Sequence, residues 1–404
     1  MRRLERIVIL GLAAGACTSS APICTGTACS TPATTCGDGI RQPGEVCFAA
    51  PVFYPTTTAG IRELALGDID GDGHLDVAVV SSGNVDVFFN DGTGKLLPAV
   101  SLPAGVGARD VAIGDLDGDG FGDVVTPSPN ESVTYVFFGE PGRTFSAPML
   151  VDSNDGGRDV ALGDMDGDGL LDIVVLGMDF FSGTEDVAVM RNLGDREFGS
   201  SAFGAETGDG ARNLALGDVD GDGDLDVVTE NGATGTLSVL LNDGSGVLAA
   251  QPPIAAGTSI EDVVLADVDG DGDLDLLTTD HAGSGPDADA VVVLLDDGSG
   301  GFSPGGRFPT RGRARSVEAA DLDGDGRIDL VTANYVLTIG SGAVYPNVSV
   351  LLGESTASYA QPIEVGDGQL TVDARVGDID GDGLLDVVTS NSGESSIGVL
   401  LARP

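Results

Sequence analysis

The sequence contains seven copies of a nine-residue acidic motif, Asp-x-Asp-Gly-Asp-Gly-x-x-Asp. The first residues of neighbouring copies are 47 to 57 residues apart, and every copy keeps its four aspartates and two glycines. Such a regular recurrence indicates a chain built from structural repeats, with one acidic loop in each repeat. The copies begin at Asp68, Asp115, Asp164, Asp218, Asp267, Asp321 and Asp378.

The order of residues in the motif is suited to calcium. Carboxylates at positions 1, 3, 5 and 9 are hard oxygen donors, and position 7 can offer its backbone carbonyl. The glycine at position 6 permits the sharp turn that lets these donors converge on one centre. We therefore predict about seven calcium sites. Positions 1, 3, 5, 7 and 9 of the successive loops are Asp68, Asp70, Asp72, His74 and Asp76; Asp115, Asp117, Asp119, Phe121 and Asp123; Asp164, Asp166, Asp168, Leu170 and Asp172; Asp218, Asp220, Asp222, Asp224 and Asp226; Asp267, Asp269, Asp271, Asp273 and Asp275; Asp321, Asp323, Asp325, Arg327 and Asp329; Asp378, Asp380, Asp382, Leu384 and Asp386.

Other metals and the EF-hand fit the motif less well. Magnesium needs near-ideal octahedral geometry, and zinc prefers cysteine and histidine, of which the loops contain only His74. An EF-hand loop carries a bidentate glutamate at position 12 and is flanked by helices. Here position 12 is valine or threonine in every copy, so the motif predicts a loop between two strands. These residues are Val79, Thr126, Val175, Thr229, Thr278, Thr332 and Thr389.

Strand patterns surround each loop. Alternating or β-branched runs precede and follow it, so the loop joins the first two strands of a repeat. Each repeat holds four such runs, which in the first repeat cover residues 63–66, 77–80, 85–89 and 97–102. Seven four-stranded repeats predict an all-β fold, a seven-bladed β-propeller. The third run recurs at 135–138, 187–190, 237–241, 291–295 and 348–352.

The seventh repeat ends after its third run, at residues 397–401, and an additional run at 52–57 precedes the first loop. We predict that this N-terminal strand completes the last blade. A blade made from both ends of the chain would close the ring and leave no exposed sheet edge there.

With these motifs in place, the repeats resemble FG-GAP/VCBS repeats, the blade units of integrin α-subunit propellers and of many secreted bacterial proteins. The resemblance covers residues 51–404 and rests on the acidic loops. It implies a β-propeller fold. In the integrin members of the family, the face that carries the loops between the second and third strands binds ligands, and the resemblance implies the same face here.

The N-terminus has the pattern of an export signal. Three arginines precede an apolar run of ten residues, 7–16, which is too short to span a bilayer. Small residues then lead into Cys17, a sequence that resembles a bacterial lipobox. We therefore expect residues 1–16 to be a signal peptide and the protein to reach the cell surface or outer membrane as a lipoprotein. Ordinary cleavage and secretion is the open alternative.

All five cysteines lie within the first 47 residues. If Cys17 is lipidated, the remaining four form an even set, which an exported protein can oxidise to disulfides. Their pairing stays open among Cys24, Cys29, Cys36 and Cys47. We expect residues 17–50 to form a stapled stalk or a linker, and residues 51–404 to form the propeller.

Composition excludes several functions. Asp and Glu number 64 against 19 Lys and Arg, which gives a net charge of -45 and disfavours nucleic acid and anionic membranes as partners. The hydrophobic fraction of 41% is high enough for a buried core, which argues against a disordered acidic tail. Membrane association is expected only through a lipid on Cys17, and the protein is expected to be a monomer.

Ligand binding is predicted at one end of the propeller. Long insertions between the second and third strands of repeats 3, 5 and 6 carry unusual residues, and long loops on a rigid scaffold commonly carry recognition. The candidate ligand-binding residues are Phe180, Phe181, His281, Tyr335 and Tyr345. The open alternative is that these insertions are neutral, solvated loops.

No catalytic residues are predicted. The chain has two histidines, no nucleophile elbow and no Walker loop, so an enzyme is not expected. The expected function is a calcium-stabilised adhesion or protein-interaction module at the cell surface. The alternative is a carbohydrate-directed protein on the same scaffold, either a lectin or a polysaccharide lyase.

Overall fold

The structure is a computed structural model that describes most of residues 46–403 and shows strands and no helix there. No helix in this part of the chain is long and apolar enough to cross a membrane. The described ranges are 46–153, 156–178, 185–199, 205–281, 289–310, 312–335, 347–355, 357–366 and 370–403.

The strands form seven blades around one ring, and the predicted all-β propeller is confirmed. Strand β1 (Val52–Pro55) precedes the first blade. Blade 1 contains β2 (Leu64–Gly67), β3 (Asp76–Ser81), β4 (Asn84–Phe88) and β5 (Val100–Pro103). Blade 2 contains β6 (Ala112–Gly114), β7 (Asp123–Ser128), β8 (Val133–Phe137) and β11 (Met149–Asp152), with a small hairpin of β9 (Gly139–Glu140) and β10 (Thr144–Phe145).

Blades 3 to 5 follow the same order. Blade 3 contains β12 (Asp159–Gly163), β13 (Asp172–Met178) and β14 (Glu185–Met190). Blade 4 contains β15 (Ala211–Gly217), β16 (Asp226–Asn231), β17 (Thr236–Asn242), β18 (Leu248–Ala250) and β19 (Ile254–Ala255). Blade 5 contains β20 (Ile260–Ala266), β21 (Asp275–His281), β22 (Asp289–Leu295) and β23 (Ser303–Pro309).

Blades 6 and 7 complete the ring. Blade 6 contains β24 (Arg313–Ala320), β25 (Asp329–Tyr335), β26 (Val348–Leu351) and β29 (Ile363–Val365), with a hairpin of β27 (Gly353–Ser355) and β28 (Ser358–Tyr359). Blade 7 contains β30 (Thr371–Gly377), β31 (Asp386–Asn391) and β32 (Ser396–Leu400), and β1 pairs antiparallel with β32.

The first strand of each blade is the innermost one. Neighbouring inner strands contact one another in chain order, from β2 through β6, β12, β15, β20 and β24 to β30, and β30 returns to β2. The inner strands therefore surround the channel of the propeller.

Strand boundaries differ slightly from the sequence predictions. The fourth strand of blade 1 is Val100–Pro103, shorter than the predicted 97–102, because Leu97 forms an isolated turn contact with Phe89. The described residues of blade 3 form three strands. At the place of the fourth strand they form a single antiparallel bridge, between Asp186 and Glu206.

The hydrophobic core lies between adjacent blades. One buried cluster, for example, joins Val87 of blade 1 to Ile113 and Phe137 of blade 2. Side chains alternate across each strand, so both faces of a blade bury apolar residues against its neighbours. Each blade thus depends on the next for its core.

A glycine before most acidic loops makes this close packing possible. A Cβ atom on Gly163 of blade 3 would lie 2.8 Å from Leu225 Cδ1 and 2.9 Å from Leu216 Cδ1, both in blade 4. The absent side chain leaves room for the paired leucines of the next blade. The residue that precedes an acidic loop therefore packs against the hairpin of the neighbouring blade.

The N-terminal residues of the described chain lie along blade 7. Arg403 N donates to Cys47 O at 2.8 Å, and Phe48 forms a bridge with Ala402. Cys47 is disulfide-bonded. The predicted signal peptide, Cys17 and the other three cysteines, Cys24, Cys29 and Cys36, lie outside the described residues.

Candidate calcium loops and ligand face

The acidic loops connect the first and second strands of the blades, as predicted. In blade 1 the loop runs from Asp68 to Asp76 between β2 and β3. Gly73, at position 6, has a φ of 92°, a left-handed conformation that a side chain disfavours. The turn directs backbone N–H groups at carboxylates, and Gly73 N donates to Asp68 Oδ2 at 3.0 Å.

Carboxylates at positions 1, 3 and 9 converge. In each of the first four loops these three aspartates offer one oxygen each, and the three oxygens lie within 4.8 Å of one another. Position 5 is more exposed, and Asp72 there accepts a hydrogen bond from the backbone of His74. Three carboxylates this close repel one another unless a cation or protons neutralise them.

Several of these oxygens are buried without a hydrogen-bond partner. They are Asp68 Oδ1, Asp166 Oδ1, Asp378 Oδ1 and Asp380 Oδ1. Buried carboxylate oxygens nearly always have a hydrogen-bond partner or a metal ligand bond. An all-oxygen donor set with such atoms at positions 1 and 3 fits a calcium ion, whereas the loops offer no cysteine.

The aspartate at position 9 anchors each loop to its blade. Asp76 Oδ2 accepts a hydrogen bond from Ile69 N at 3.0 Å, and Oδ1 accepts one from Asn90 N at 2.7 Å. The same pair of contacts recurs in blade 3, where Asp172 binds Met165 N and Asn192 N. This carboxylate therefore joins the loop to the end of the third strand.

Burial changes the acidity of the position 9 aspartates. Burial raises the pKa of Asp76 and Asp123 to about 7, against the opposing effect of the backbone hydrogen bonds, and nearby loop aspartates raise it further. Burial likewise raises the pKa of Asp172 to about 6. A bound dication would favour the ionised form and reverse these shifts.

Arginines from the next blade reach two of the loops, a feature that the sequence analysis missed. Arg143 Nε of blade 2 lies 2.5 Å from Asp70 Oδ2, and Arg196 Nη2 of blade 3 lies 2.5 Å from Asp117 Oδ2. The contacts involve position 3 of the preceding loop in both cases. No spacing rule in the sequence identifies these pairs, because their members are more than 70 residues apart.

Asparagines after the third strand link successive loops. Asn192 Nδ2 donates to Leu116 O of the blade 2 loop at 2.7 Å and to Leu171 O of its own loop at 3.1 Å. Asn90 and Asn242 make the corresponding contacts in blades 1 and 4. These asparagines recur at the same place in three repeats, and this recurrence is the sequence pattern that could have identified them.

The opposite end of the blades carries a polar cluster between blades 5 and 6. His281 Nδ1 lies 3.1 Å from Asp289, and His281 Nε2 lies 3.5 Å from Glu261. Glu261 also forms ion pairs with Arg313 and with Arg315, the latter at 3.7 Å. We call these five residues the blade 5–6 cluster.

The blade 5–6 cluster contains one predicted ligand-binding residue, His281, and lies beside another, Tyr335. The guanidinium of Arg315 lies 5.8 Å from the centroid of the Tyr335 ring. The side chain of His281 is 9% exposed, and its two ring nitrogens face Asp289 and Glu261. Phe180, Phe181 and Tyr345 lie outside the described residues.

The charges in the blade 5–6 cluster keep Glu261 ionised. Burial opposes its ionisation, but the interaction with His281 and the charges of Arg313 and Arg315 outweigh burial and lower its pKa. The cluster is therefore a preorganised set of charges next to an aromatic ring. Such a set can bind polar ligands through hydrogen bonds and ring contacts.

Comparison with solved structures shows the same fold in other proteins. A lectin from Agrocybe aegerita, described as recognising non-reducing terminal N-acetylglucosamine, is 21% identical, with a TM-score of 0.53 over 84% of this chain and 93% of the lectin. BBS1N in complex with ARL6DN is 12% identical, with a TM-score of 0.55 over 87% of this chain and 97% of that chain. No curated protein matches the sequence.

The profile of the FG-GAP-like repeat family matches four segments, which together cover more than half of the chain. They are residues 68–126, 178–229, 230–278 and 280–332. Each segment contains at least one acidic loop or its flanking strands. The chain belongs to the family of FG-GAP-like repeat proteins.

Proposed function

We propose that the protein is an exported, calcium-stabilised β-propeller that acts as an adhesion or protein-interaction module at the cell surface. The observation that supports calcium most directly is the set of buried carboxylate oxygens without hydrogen-bond partners in the acidic loops, such as Asp166 Oδ1. Seven such loops would hold about seven calcium ions. Calcium would be structural, because the loops of blades 1, 2, 3 and 7 also form hydrogen bonds with a neighbouring blade.

The interaction role rests on the end of the propeller opposite the calcium loops. Blade 1 joins its second and third strands, Asp76–Ser81 and Asn84–Phe88, by a tight turn. Blades 5 and 6 have long connections at the same place in the blade, next to His281 and Tyr335. A rigid scaffold with variable loops at one end is suited to recognition.

The proposal includes an exported location. The charged and apolar segment at 1–16, followed by Cys17 and a cysteine-containing stretch to residue 50, supports a signal peptide with lipidation or secretion. Mass spectrometry of the mature N-terminus after expression in a bacterium tests it. A diacylated Cys17 supports a lipoprotein, and a retained Met1 overturns the proposal of export.

The interaction role is tested by binding the full chain to arrays of extracellular proteins and of glycans in calcium-containing buffer. Saturable binding to proteins that weakens with Tyr335→Ala supports the proposal. The exposed Lys95, at the opposite end of blade 1, offers a matched control as Lys95→Ala. Absence of binding to both arrays overturns an interaction role at this face.

A second candidate function is carbohydrate binding. It is favoured by the blade 5–6 cluster, where a histidine, two arginines and two acids lie beside Tyr335. The Agrocybe aegerita lectin has the same fold, so a scaffold of this kind can carry a sugar site. A sharp monosaccharide preference on the glycan array, lost in His281→Ala, would favour this candidate over protein binding. Cleavage of an acidic polysaccharide with a rise in ultraviolet absorbance would indicate a lyase.

A further inference from the structure

We propose that the end of the central channel carries a binding site for a compact oxyanion, formed by the guanidinium groups of Arg62, Arg109, Arg158 and Arg212. We call these residues the axial arginine cluster. The site is separate from the calcium loops and from the blade 5–6 cluster. It goes beyond the proposed interaction function, and its test does not depend on that function.

The four arginines occupy the same position in four successive blades. Each lies six residues before the first aspartate of its loop. Arg62, Arg109 and Arg158 come one to three residues before inner strands β2, β6 and β12, and Arg212 is the second residue of β15. The inner strands contact one another in this order around the channel. Their first residues therefore lie side by side at one end of the channel, on the side away from the calcium loops.

In blade 4 the arginine lies where the pairing of the sheet is irregular. The pairing of β15 with β16 shifts between Ala211 and Leu214, so Arg212 lies in a β-bulge. A bulge commonly re-aims a side chain next to a binding site. Arg315 of blade 6 lies in a corresponding bulge, between Ala314 and Ser316, but pairs with Glu261.

Three members of the cluster are exposed and form no ion pair in the described part of the chain. These are Arg62, Arg109 and Arg212. Arg158 differs, since it lies 3.7 Å from Glu185 and donates to Ala211 O at 3.4 Å. The other described arginines all form ion pairs, and they are Arg143, Arg191, Arg196, Arg307, Arg313, Arg315, Arg327, Arg375 and Arg403.

The cluster members lie close enough to repel one another. Partial desolvation lowers the pKa of Arg109, and the charges of Arg62, Arg158 and Arg212 lower it further, against a smaller opposing effect of Glu63. In a protein with a net charge of -45, cations would be expected to lie beside acids. A bound anion would relieve the repulsion among these arginines.

The neighbouring acids bond to the backbone of the next blade. Asp110 Oδ2 accepts a hydrogen bond from Val160 N at 2.9 Å, and Asp159 Oδ2 accepts one from Leu214 N at 2.5 Å. These carboxylates follow Arg109 and Arg158 in sequence. Side chains of successive strand residues point to opposite sides, so the acids serve the contact between blades while the arginines are directed elsewhere.

The ligand is expected to be compact. A guanidinium group binds sulfate, phosphate and carboxylate groups through two parallel hydrogen bonds, and several guanidinium groups favour an anion with more than one charge. A long polyanion would also meet the acidic surface of a protein with a net charge of -45. A sulfate or a small dicarboxylate can lie against the guanidinium groups and keep away from Glu63, Asp110 and Asp159, whose carboxylate oxygens lie within 4.8 Å of one another. The charge of Arg212 also acts on the buried carboxyl of Glu230.

The test is calorimetric titration of the full chain with sodium sulfate and with sodium succinate, in calcium-containing buffer at constant ionic strength. Saturable binding of either anion supports the site, and the two titrations distinguish a sulfate ligand from a carboxylate ligand. Arg109→Gln with Arg212→Gln should weaken binding by about tenfold or more, because each guanidinium contributes charge-assisted hydrogen bonds. Lys95→Gln, at the far end of blade 1, should leave the affinity unchanged.

The proposal is overturned if neither anion binds saturably. It is also overturned if Lys95→Gln loses as much affinity as the double arginine variant, because that result would indicate a general effect of surface charge. Each variant should still unfold cooperatively in a thermal melt when no anion is added, which shows that it is folded. If the double Gln variant does not fold, the double variant Arg109→Lys with Arg212→Lys replaces it in the test. This variant keeps the positive charges but loses the planar guanidinium groups that form paired hydrogen bonds. Unchanged affinity in that folded variant would also contradict the proposed geometry.

Discussion

Asp110 of blade 2 accepts, through its Oδ2 atom, a hydrogen bond from the backbone N–H of Val160 in blade 3 at 2.9 Å. The aspartate is 3% exposed, and the bond joins the inner strands of two blades. The same position is used around the ring, where Asp373 Oδ2 binds Leu64 N at 3.0 Å. These side chains form a belt of contacts between neighbouring inner strands.

Asp110→Ala should lower the free energy of unfolding by about 1 to 3 kcal/mol, since it leaves the buried N–H of Val160 without its partner. Urea unfolding followed by circular dichroism measures the change. Asp209→Ala removes an exposed carboxylate and should change stability by less than about 0.5 kcal/mol. Equal effects of the two substitutions would show that the belt contact contributes little.

Removal of calcium should destabilise the whole propeller. At a free calcium concentration about 100 times the dissociation constant, each independent site adds about 2.7 kcal/mol to stability. A chelator should therefore lower the melting temperature strongly, and added calcium should restore it. An unchanged melting temperature would contradict a structural role for calcium.

A single-loop variant separates calcium binding from general acidity. Asp166→Asn changes a position 3 ligand whose Oδ1 atom is buried without a hydrogen-bond partner. It should reduce the calcium stoichiometry by about one ion in calorimetric titration. The control is Asp209→Asn, outside the loops, which should keep the full stoichiometry.

Glu230 should make stability decrease as pH rises above about 4.5. Burial raises the pKa of this carboxyl well above its usual value, and both of its oxygens lack a well-formed hydrogen bond in the described chain. The folded protein therefore holds the proton more tightly than the unfolded chain does, and ionisation favours unfolding. The contribution of Glu230 to the free energy of unfolding is fully present below the pKa of the unfolded chain. It is lost as pH rises through the higher pKa of the folded protein.

Glu230→Gln removes this titration and should stabilise the protein at pH 7 by at least about 1 kcal/mol. The difference from the unmodified protein should vanish near pH 4. Thermal melts of both proteins between pH 4 and pH 8, in calcium-containing buffer, measure it. A variant that is less stable than the unmodified protein at pH 7 would mean that Arg212 stabilises the ionised carboxylate.

Asn192→Ala should weaken the contact between the loops of blades 2 and 3. The side chain donates to Leu116 O and Leu171 O, and its removal should cost about 1 to 3 kcal/mol. The exposed Asn130 also donates to a backbone carbonyl, that of Val106 at 3.0 Å, and serves as the control. Asn130→Ala should have the smaller effect in the same urea titration.

The fold was accessible to sequence reasoning because its signals are local. The four aspartates of a loop lie within nine residues, and the β-branched runs on either side identify the strands that the loop connects. Counting the loops gives the number of blades. The boundaries were less accurate, as at Val100–Pro103, because the end of a strand depends on its pairing partner.

The contacts between blades were not accessible in the same way. Arg143 meets Asp70 across 73 residues, and His281 meets Glu261 and Asp289 at a junction that single repeats do not reveal. Only some had a sequence signal, such as the acid that recurs five residues before the loops, as at Asp110 and Asp159. Its role, to accept a hydrogen bond from the backbone of the next blade, could be assigned only from the tertiary structure.

The sequence by itself determined the repeat, the hairpin loops and the donor set for a metal, since these depend on the spacing of neighbouring residues. The tertiary structure decided which side chains of different blades meet. Arg62 and Arg109 are 47 residues apart, and they become neighbours because inner strands pack side by side around the channel. Packing of this kind depends on the register between blades, and the pattern within one repeat does not specify it.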